Sequence, residues 1–144
     1  LRAESERKLL CSNINYISTI GTDHCPFTDN MKNHKFTSET PMGIGGIKYS
    51  FLNMYSIFGD SVIKKFTSNV AKAYNLFPRK GVLLPGADAD IVIFDDSVTD
   101  TIKDNTSLYN GREVRGKIVK VYLGGNCVVN NGKYISSRGK YIKR

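Results

Sequence analysis

Thr22-Asp23-His24-Cys25-Pro26-Phe27 is the stretch around which the rest of the chain is organised. A short apolar run from Tyr16 to Ile20 precedes it, and the β-branched and aromatic residues of that run predict a strand. Gly21 allows a close approach of backbones where this strand ends. A carboxylate and an imidazole that follow a buried strand lie at the rim of a sheet, where α/β enzymes hold their reactive groups. The hexapeptide is therefore the candidate functional site.

The residues before this strand, from Glu4 to Tyr16, predict a helix. Glu4 and Glu6 lie in its first turn, where carboxylates interact favourably with the helix dipole. Apolar residues recur along one side at helical spacing. A helix, then a strand, then a polar site is the order of elements in a (β/α) barrel.

The segment after the hexapeptide, from Phe27 to Met42, is polar and shows no periodicity, so it predicts a long loop. Loops of this length inside compact proteins are usually functional or mobile. A glycine cluster, Gly43-Ile44-Gly45-Gly46, follows the loop. Two interpretations of this cluster stay open: a backbone cradle for a ligand, or a flexible turn before a helix.

Two consecutive helices are predicted between the glycine cluster and Pro78. The apolar face of the first consists of Ile47, Phe51, Met54, Tyr55 and Phe58. Gly59 suits the end of that helix, and Asp60 or Ser61 can cap the second one. Pro78 ends the helical pattern. The side chains of the second helix predicted to point inward are those of Val62, Ile63, Phe66, Val70, Ala73 and Tyr74.

The sequence pattern changes from helical to strand-like near Phe77 or Pro78, where we predict a boundary before an antiparallel β module. Asn131-Gly132 favours a tight hairpin, since both residues tolerate positive φ, and Gly124-Gly125-Asn126 marks another reversal. The predicted strands are Val82–Leu84, Ile91–Phe94, Val98–Ile102, Ile118–Leu123, Cys127–Val129 and Tyr134–Ile135.

The composition is that of an ordinary globular protein, with 144 residues, 40% of them hydrophobic and 24% charged. No segment approaches the roughly 18 consecutive apolar residues of a membrane span, and the first residues lack the apolar core of a signal peptide. Cys11, Cys25 and Cys127 show no CxxC spacing, which predicts reduced thiols. We therefore expect a cytoplasmic protein without a membrane partner.

The net charge of +8 is concentrated at one end of the sequence. Residues 112–144 hold nine Lys and Arg against the single Glu113, whereas the preceding residues are balanced. A basic segment invites a nucleic-acid interpretation. Here the charges alternate with apolar strand residues and accompany no nucleic-acid motif, so a solvated sheet face is favoured and no nucleic-acid partner is expected.

On residue chemistry alone, Asp23 and His24 could be metal ligands, an acid/base pair, or a turn in which Asp23 caps the backbone. A catalytic zinc needs about three protein ligands and an open position, so two adjacent residues do not make one. His34 forms no known metal motif with Asp23 and is predicted to be exposed. Cys25 precedes a proline and has no identified general base, so a nucleophilic thiol is not expected.

Several segments of the chain together resemble the C-terminal part of the dihydropyrimidinase/hydantoinase branch of the cyclic amidohydrolases. The resemblance is strongest at the hexapeptide and continues to the last residues. The other matching segments are Thr40-Pro41-Met42-Gly43-Ile44-Gly45-Gly46-Ile47, Ser68-Asn69-Val70-Ala71-Lys72, Leu76-Phe77-Pro78-Arg79-Lys80-Gly81, Gly86-Ala87-Asp88-Ala89-Asp90-Ile91-Val92-Ile93-Phe94-Asp95 and Ser137-Arg138-Gly139-Lys140-Tyr141-Ile142.

The resemblance implies an α/β plus β fold. Residues 1–77 match the end of a metal-dependent (β/α)8 amidohydrolase barrel, with its last strand, a long loop and helices. Residues 78–144 match the C-terminal portion of a β-sandwich domain and a tail. The tail of this family helps subunits associate, so the resemblance implies a homo-oligomer such as a homotetramer.

The resemblance also implies a role for Asp23. In this family the matching aspartate ends the eighth barrel strand, ligates one metal of a binuclear Zn²⁺ centre and takes a proton from the bridging hydroxide. Asp23 is thus expected to be a metal ligand and the general base and acid in hydrolysis of the cyclic amide bond of dihydropyrimidines or hydantoins. His24 and Cys25 match the motif without an implied catalytic role.

The glycine cluster matches the family segment whose backbone holds the amide edge of the substrate ring. Met42 and Gly43 are therefore expected to bind substrate through their main chain. Family members usually have Asn in place of Met42 and Pro in place of Gly45. These departures leave the ring specificity open.

The matched region is the last third or so of a family member, and its His-x-His pair, carboxylated lysine and two further histidines lie upstream. We therefore expect a C-terminal fragment that is inactive alone and that associates through the apolar faces of its helices. An alternative is a non-catalytic assembly protein like the collapsin response mediator proteins, which typically lack a ligand where this chain has Asp23. A third interpretation, an amidohydrolase acting on allantoin or dihydroorotate, is disfavoured by Cys25-Pro26-Phe27.

Overall fold

The computed structural model describes residues 3–135 and 139–142, so the predicted tail Ser137–Ile142 lies partly outside the described residues. Helices occupy the first half and an antiparallel sheet follows. The helices are α1 Glu4–Ser12, α2 Asp29–Lys32, α3 Ser50–Phe58, α4 Ile63–Phe66 and α5 Ser68–Ala73. The strands are β1 Ile91–Thr101, β2 Glu113–Leu123, β3 Asn126–Asn130 and β4 Lys133–Tyr134. Short 3₁₀ turns cover Ile14–Tyr16, Thr37–Glu39 and Gly59–Val62.

The prediction of a strand at Tyr16–Ile20 is wrong. Ile17 has extended backbone angles, but the segment joins no sheet within the described residues. Residues of α4 and α5 bind it instead. The backbone amide of Ile20 donates to the Lys65 carbonyl across 3.1 Å, and the side-chain amide of Asn69 donates to the Ser18 carbonyl across 2.8 Å. A strand is defined by its neighbours, and here the neighbours are helical.

The predicted long loop contains two short helical pieces, α2 and the 3₁₀ turn Thr37–Glu39. Lys32, the last residue of α2, closes it. Its ammonium donates to the carbonyls of Pro41, at 3.2 Å, and Gly43, at 2.7 Å. The same ammonium lies 5.5 Å from the centre of the Phe27 ring, within the range of a cation–π contact. The irregular segment is therefore held at both ends by one side chain.

The helix predicted after the glycine cluster is confirmed as α3, and Gly59 ends it with a φ of +59°. Ile47, which was predicted to lie on its apolar face, precedes α3 and is 66% exposed. The second predicted helix is not continuous, since Thr67 leaves helical geometry at φ −126° and ψ −98° and separates α4 from α5. Val62 is buried as predicted, whereas Ile63, Ala73 and Tyr74 are exposed. Lys65, which was not predicted to point inward, is buried and only 6% exposed.

Lys65 is buried because its ammonium has a partner. Its Nζ donates to the carbonyl of Ile17 across 2.6 Å, which satisfies one of the backbone acceptors of the extended segment. A lysine is almost never fully buried unless it is paired. Together with the contacts of Ile20 and Asn69, this bond fixes the segment that leads to the candidate site.

The four strands form an antiparallel meander in the order β1-β2-β3-β4. The predicted strands Ile91–Phe94 and Val98–Ile102 merge into β1, with an irregularity between Asp95 and Thr99. The hairpin at Asn131-Gly132 is confirmed by φ values of +48° and +75°. Val82–Leu84 is not a strand, because the segment lies in turns, among them one closed by a bond from the Ala87 amide to the Leu84 carbonyl.

A cluster of aromatic rings joins the helices to the sheet. Tyr55 is 2% exposed, and its ring centre lies 4.7 Å from that of Phe94 on β1. The Phe51 ring contacts both Phe94 and Phe66 edge-on. Because Gly116 of β2 has no side chain, the Phe94 ring can lie directly against its backbone. These contacts cross the predicted boundary at Pro78, which itself stays a prediction.

The predicted solvated sheet face is present on β2. Arg115 and Lys117 are exposed, and they alternate with buried Val114 and Gly116. The basic charges therefore point to solvent while their neighbours pack on α3. Across residues 3–135 and 139–142, no helix combines the length and apolar character needed to cross a bilayer.

Candidate functional site

Asp23 lies at the end of the extended segment that Lys65 and Asn69 hold in place. Its φ is +45°, in the left-handed region that few residues other than glycine adopt. The side chain is exposed, and within the described residues no hydrogen bond or ion pair engages its carboxylate. Residues held in sparsely populated backbone conformations cluster at functional sites. The carboxylate is thus presented to solvent by a fixed and unusual backbone.

His24 connects the hexapeptide to the glycine cluster. Its Nδ1 accepts hydrogen bonds from the backbone amides of Gly46, at 2.9 Å, and Ile47, at 3.2 Å. An imidazole nitrogen that accepts carries no proton, so the proton of the neutral ring is on Nε2. The main chain adds a second link, from the Cys25 amide to the Ile44 carbonyl at 3.1 Å. The structure therefore brings together the two segments that the sequence singled out.

The glycine cluster packs closely on the hexapeptide. Gly43 has a φ of +146°, and a side chain there would lie 2.5 Å from the Cys25 carbonyl oxygen and 2.9 Å from the Cys25 Cβ. Gly45 and Gly46 are less confined, because a Cβ on either would make ordinary contacts with the hexapeptide. The cluster precedes α3, and its interpretation as a backbone cradle for a ligand stays a prediction.

Three further residues that the sequence singled out are exposed. The Met42 side chain is 89% exposed, and the main-chain contact of Met42 with substrate stays a prediction. His34 is exposed, as predicted, and its amide donates to the Lys32 carbonyl. Cys25 is an exposed free thiol.

The described residues do not by themselves fit a complete metal centre. No group of three or more His, Cys, Asp or Glu side chains within residues 3–135 and 139–142 could hold an ion. A catalytic zinc needs about three protein ligands and an open position. Asp23 offers one carboxylate toward such a site, and its further ligands would have to come from outside this part of the chain.

A second polar cluster, around Asp104 in the loop between β1 and β2, was missed by sequence reasoning. Its Oδ2 accepts from the Tyr49 hydroxyl at 2.8 Å and from the Lys48 ammonium at 3.0 Å. Its Oδ1 accepts from the hydroxyl of Thr106 at 2.7 Å. Hydrogen bonds from Thr106, Lys48 and Tyr49 hold the pKa of Asp104 below its usual range. The pattern Asp104-Asn105-Thr106 is typical of a turn, but nothing in the neighbouring sequence indicates that residues as distant in the chain as Lys48 and Tyr49 are its partners.

An open groove of about 350 Å³ lies beside this cluster. Tyr49 and Leu52 form one wall, and Ile102 and Val114 of the sheet region contribute to the other. The hexapeptide does not line it. The groove is therefore separate from the candidate site at Asp23.

Comparison with known proteins identifies the family. The model of the amidohydrolase family matches residues 3–128 of this chain. The chain therefore belongs to the amidohydrolase family. Among solved structures, a D-hydantoinase from Thermus sp. superposes with a TM-score of 0.84 at 29% identity, over 95% of this chain and 34% of that one.

Curated relatives narrow the identification. A dihydropyrimidinase from Arabidopsis thaliana is 28% identical in an alignment of 145 positions that covers 88% of this chain and 27% of the relative. Dihydropyrimidinase-related protein 5 from Homo sapiens is 31% identical in an alignment of 140 positions that covers 85% of this chain and 25% of the relative. These similarities place the chain in the dihydropyrimidinase/hydantoinase branch of the family. It spans only about a quarter of the length of these curated relatives.

Proposed function

We propose that this chain is the C-terminal portion of a metal-dependent hydrolase that opens the cyclic amide bond of dihydropyrimidines or hydantoins. The observation that carries this proposal is the exposed Asp23 carboxylate, fixed at a left-handed backbone position against the glycine cluster. The portion is expected to be inactive alone, because Asp23 is one ligand of the several that such a centre needs.

The proposed architecture divides the chain near Pro78. Residues 1–77 would close a (β/α)8 barrel, and residues 78–144 would contribute to a β-sandwich. The extended segment from Ile17 to Ile20 supports the barrel assignment. One side of this segment is bound to α4 and α5, and the segment leads directly to Asp23. The antiparallel meander of four strands supports the sandwich assignment.

Asp23 is the proposed ligand and proton carrier. Zn²⁺ ions held in such a site would lower the pKa of a water molecule and polarise the amide carbonyl. The Asp23 carboxylate, which no other described group engages, is free to accept a proton at one oxygen and to return it to the leaving nitrogen.

The main chain at Met42 and Gly43 is the proposed contact for the amide edge of the ring. Lys32 supports this role because it binds the carbonyls of Pro41 and Gly43 and so fixes the peptide units on both sides of the Met42–Gly43 peptide bond. A main-chain contact tolerates the unusual methionine, whose side chain points to solvent. The identity of the ring depends on the rest of the pocket.

An assembly protein on the same scaffold is the alternative. The observation in its favour is that dihydropyrimidinase-related protein 5 matches this chain at an identity similar to that of the enzyme from Arabidopsis thaliana. Homo-oligomers are expected under both proposals. Asp23 separates the two, because a carboxylate presented at this position serves the hydrolase and has no use in assembly.

The test extends this chain upstream with the barrel portion of a D-hydantoinase and measures zinc content and hydrolysis of dihydrouracil and hydantoin. We expect about two zinc ions per extended chain and turnover, with neither in the 144-residue chain alone. Asp23→Asn should lower turnover by about 10²-fold or more. Asp29→Asn, which changes an exposed carboxylate of the nearby α2, is the matched control and should leave turnover unchanged.

Two results would overturn the proposal. Stoichiometric zinc and turnover in the short chain would show that its own residues complete a centre. A folded, oligomeric extended chain that binds no zinc and hydrolyses neither ring would favour the assembly protein.

A further inference from the structure

We infer that His24 is a positioning residue: its Nδ1 holds the segment Met42–Ile47 at a fixed place beside the Asp23 carboxylate. This inference rests on the proposed function, because it assigns that segment to the substrate. The family resemblance implies no catalytic role for His24.

The two amides that His24 binds have no main-chain acceptor among the described residues. The carbonyl of Gly46 accepts from the amides of Tyr49 and Ser50, so the helical turn leading into α3 begins at Gly46. The first amides of a helical segment lack intrahelical acceptors and need one from elsewhere. Nδ1 of His24 supplies that acceptor to two consecutive amides, at 2.9 and 3.2 Å.

The imidazole of His24 also lies beside Gly45, the residue between Ile44 and Gly46. A Cβ on Gly45 would lie 3.6 Å from Cε1 of His24, which is ordinary contact. The Cys25 amide binds the Ile44 carbonyl one position further back. His24 and Cys25 thus bind three of the four residues from Ile44 to Ile47, and Asp23 immediately precedes His24 in the chain. A shift of the segment relative to Asp23 must break the bonds to Nδ1.

Two amide substitutions separate this role from general packing. In His24→Asn, the Oδ1 oxygen is as many bonds from Cα as Nδ1 is, so it can accept from the same amides. In His24→Gln, the Oε1 oxygen is one bond further away, near the position of Nε2. Asparagine should therefore rescue the contact, and glutamine should not.

The first measurement is amide hydrogen exchange, which needs no activity. In the 144-residue chain, His24→Gln should speed exchange at Gly46 and Ile47 by about tenfold or more, while His24→Asn should stay within about threefold of the unchanged protein. The Ile20 amide is the internal control, since it donates to the Lys65 carbonyl and neither residue belongs to the segment that His24 binds. Equal exchange in both variants would overturn the inference.

The second measurement is kinetic and uses the extended enzyme. His24→Gln should raise the KM for dihydrouracil by about tenfold at unchanged zinc content, and His24→Asn should restore it, because binding by the segment requires its position. A loss of zinc or of kcat alone would contradict a positioning role. If exchange follows the prediction but the unchanged enzyme hydrolyses no cyclic amide, the proposed function fails, and with it the substrate role given to this segment.

Discussion

Tyr49 donates its phenolic hydrogen to Oδ2 of Asp104 across 2.8 Å and so ties the residue before α3 to the loop between β1 and β2. Lys48 adds an ion pair to the same oxygen. Both residues directly follow Ile47, the last residue held by His24. The segment beside the candidate site is therefore fixed at one end by the hexapeptide and at the other by the β module.

The Asp104 cluster predicts an acid dependence of stability. Hydrogen bonds from Thr106, Lys48 and Tyr49 lower the pKa of Asp104 in the folded protein, so the unfolded protein binds its proton more readily. The stabilisation is complete above the ordinary carboxyl pKa of about 4 and is lost as the pH falls below it. Urea unfolding between about pH 5 and pH 2 should show a steeper loss of stability in the unchanged protein than in Asp104→Asn.

Tyr49→Phe provides the matched control for this acid dependence. It removes one donor to Asp104 and leaves the ring, so its pH dependence should lie between those of the unchanged protein and Asp104→Asn. Identical slopes in all three proteins would show that the cluster does not link stability to pH.

Substitution of Lys65 should have a large effect on the free energy of unfolding, although lysine positions usually tolerate substitution. Lys65→Met keeps most of the buried stem but removes the donor to the Ile17 carbonyl. Loss of a hydrogen bond from a charged donor should lower the free energy of unfolding by roughly 1.5–3 kcal/mol, measured by urea denaturation. Lys64→Met, at the exposed neighbouring position, should change it by no more than about 0.5 kcal/mol. Equal effects at the two positions would mean that the bond to Ile17 contributes nothing.

How much of the fold could be predicted depends on the range of the interaction. The end of α3 at Gly59 and the hairpin at Asn131-Gly132 were predicted because a single residue type satisfies the backbone there. The alternation of Arg115 and Lys117 with buried residues was predictable for the same local reason.

The failures have a common physical cause, which is pairing with distant parts of the chain. Tyr16–Ile20 has the composition of a strand, but composition does not say that helical residues such as Lys65 will take its carbonyls. The burial of Lys65 and the partners of Asp104 depend on bonds across 48 and 55 positions of sequence. Only the resemblance to a family assigned both Asp23 and the glycine cluster to the same substrate site. The contact between the two segments through His24 is shown only by the structure.

Gly116 predicts a steric effect in the core. An alanine there would drive its Cβ into the Phe94 ring at a φ of +88°. Overpacking and backbone strain together should lower the free energy of unfolding by about 2–4 kcal/mol. Gly111→Ala is the control, because its φ of +77° imposes strain but no atom lies within 4 Å of the added Cβ. If Gly111→Ala is as destabilising as Gly116→Ala, strain alone accounts for the effect and the contact with Phe94 does not matter.

Gly43 predicts a comparable effect at the candidate site itself. Gly43→Ala would drive its Cβ against the Cys25 carbonyl and separate the glycine cluster from the hexapeptide, because a carbonyl in fixed main chain cannot move aside. Amide exchange at Cys25, whose hydrogen bonds to Ile44, should therefore accelerate by about tenfold or more. In the extended enzyme the same substitution should lower kcat/KM for dihydrouracil, because the proposed substrate segment is displaced.

Gly45→Ala is the matched control, since a Cβ there makes only ordinary contacts with Pro26 and His24. Its exchange at Cys25 should stay close to that of the unchanged protein. Unchanged exchange at Cys25 in Gly43→Ala would show that the cluster does not depend on this close approach. Faster exchange with unchanged kcat/KM would instead show that the approach is structural and that substrate contacts lie elsewhere in the pocket.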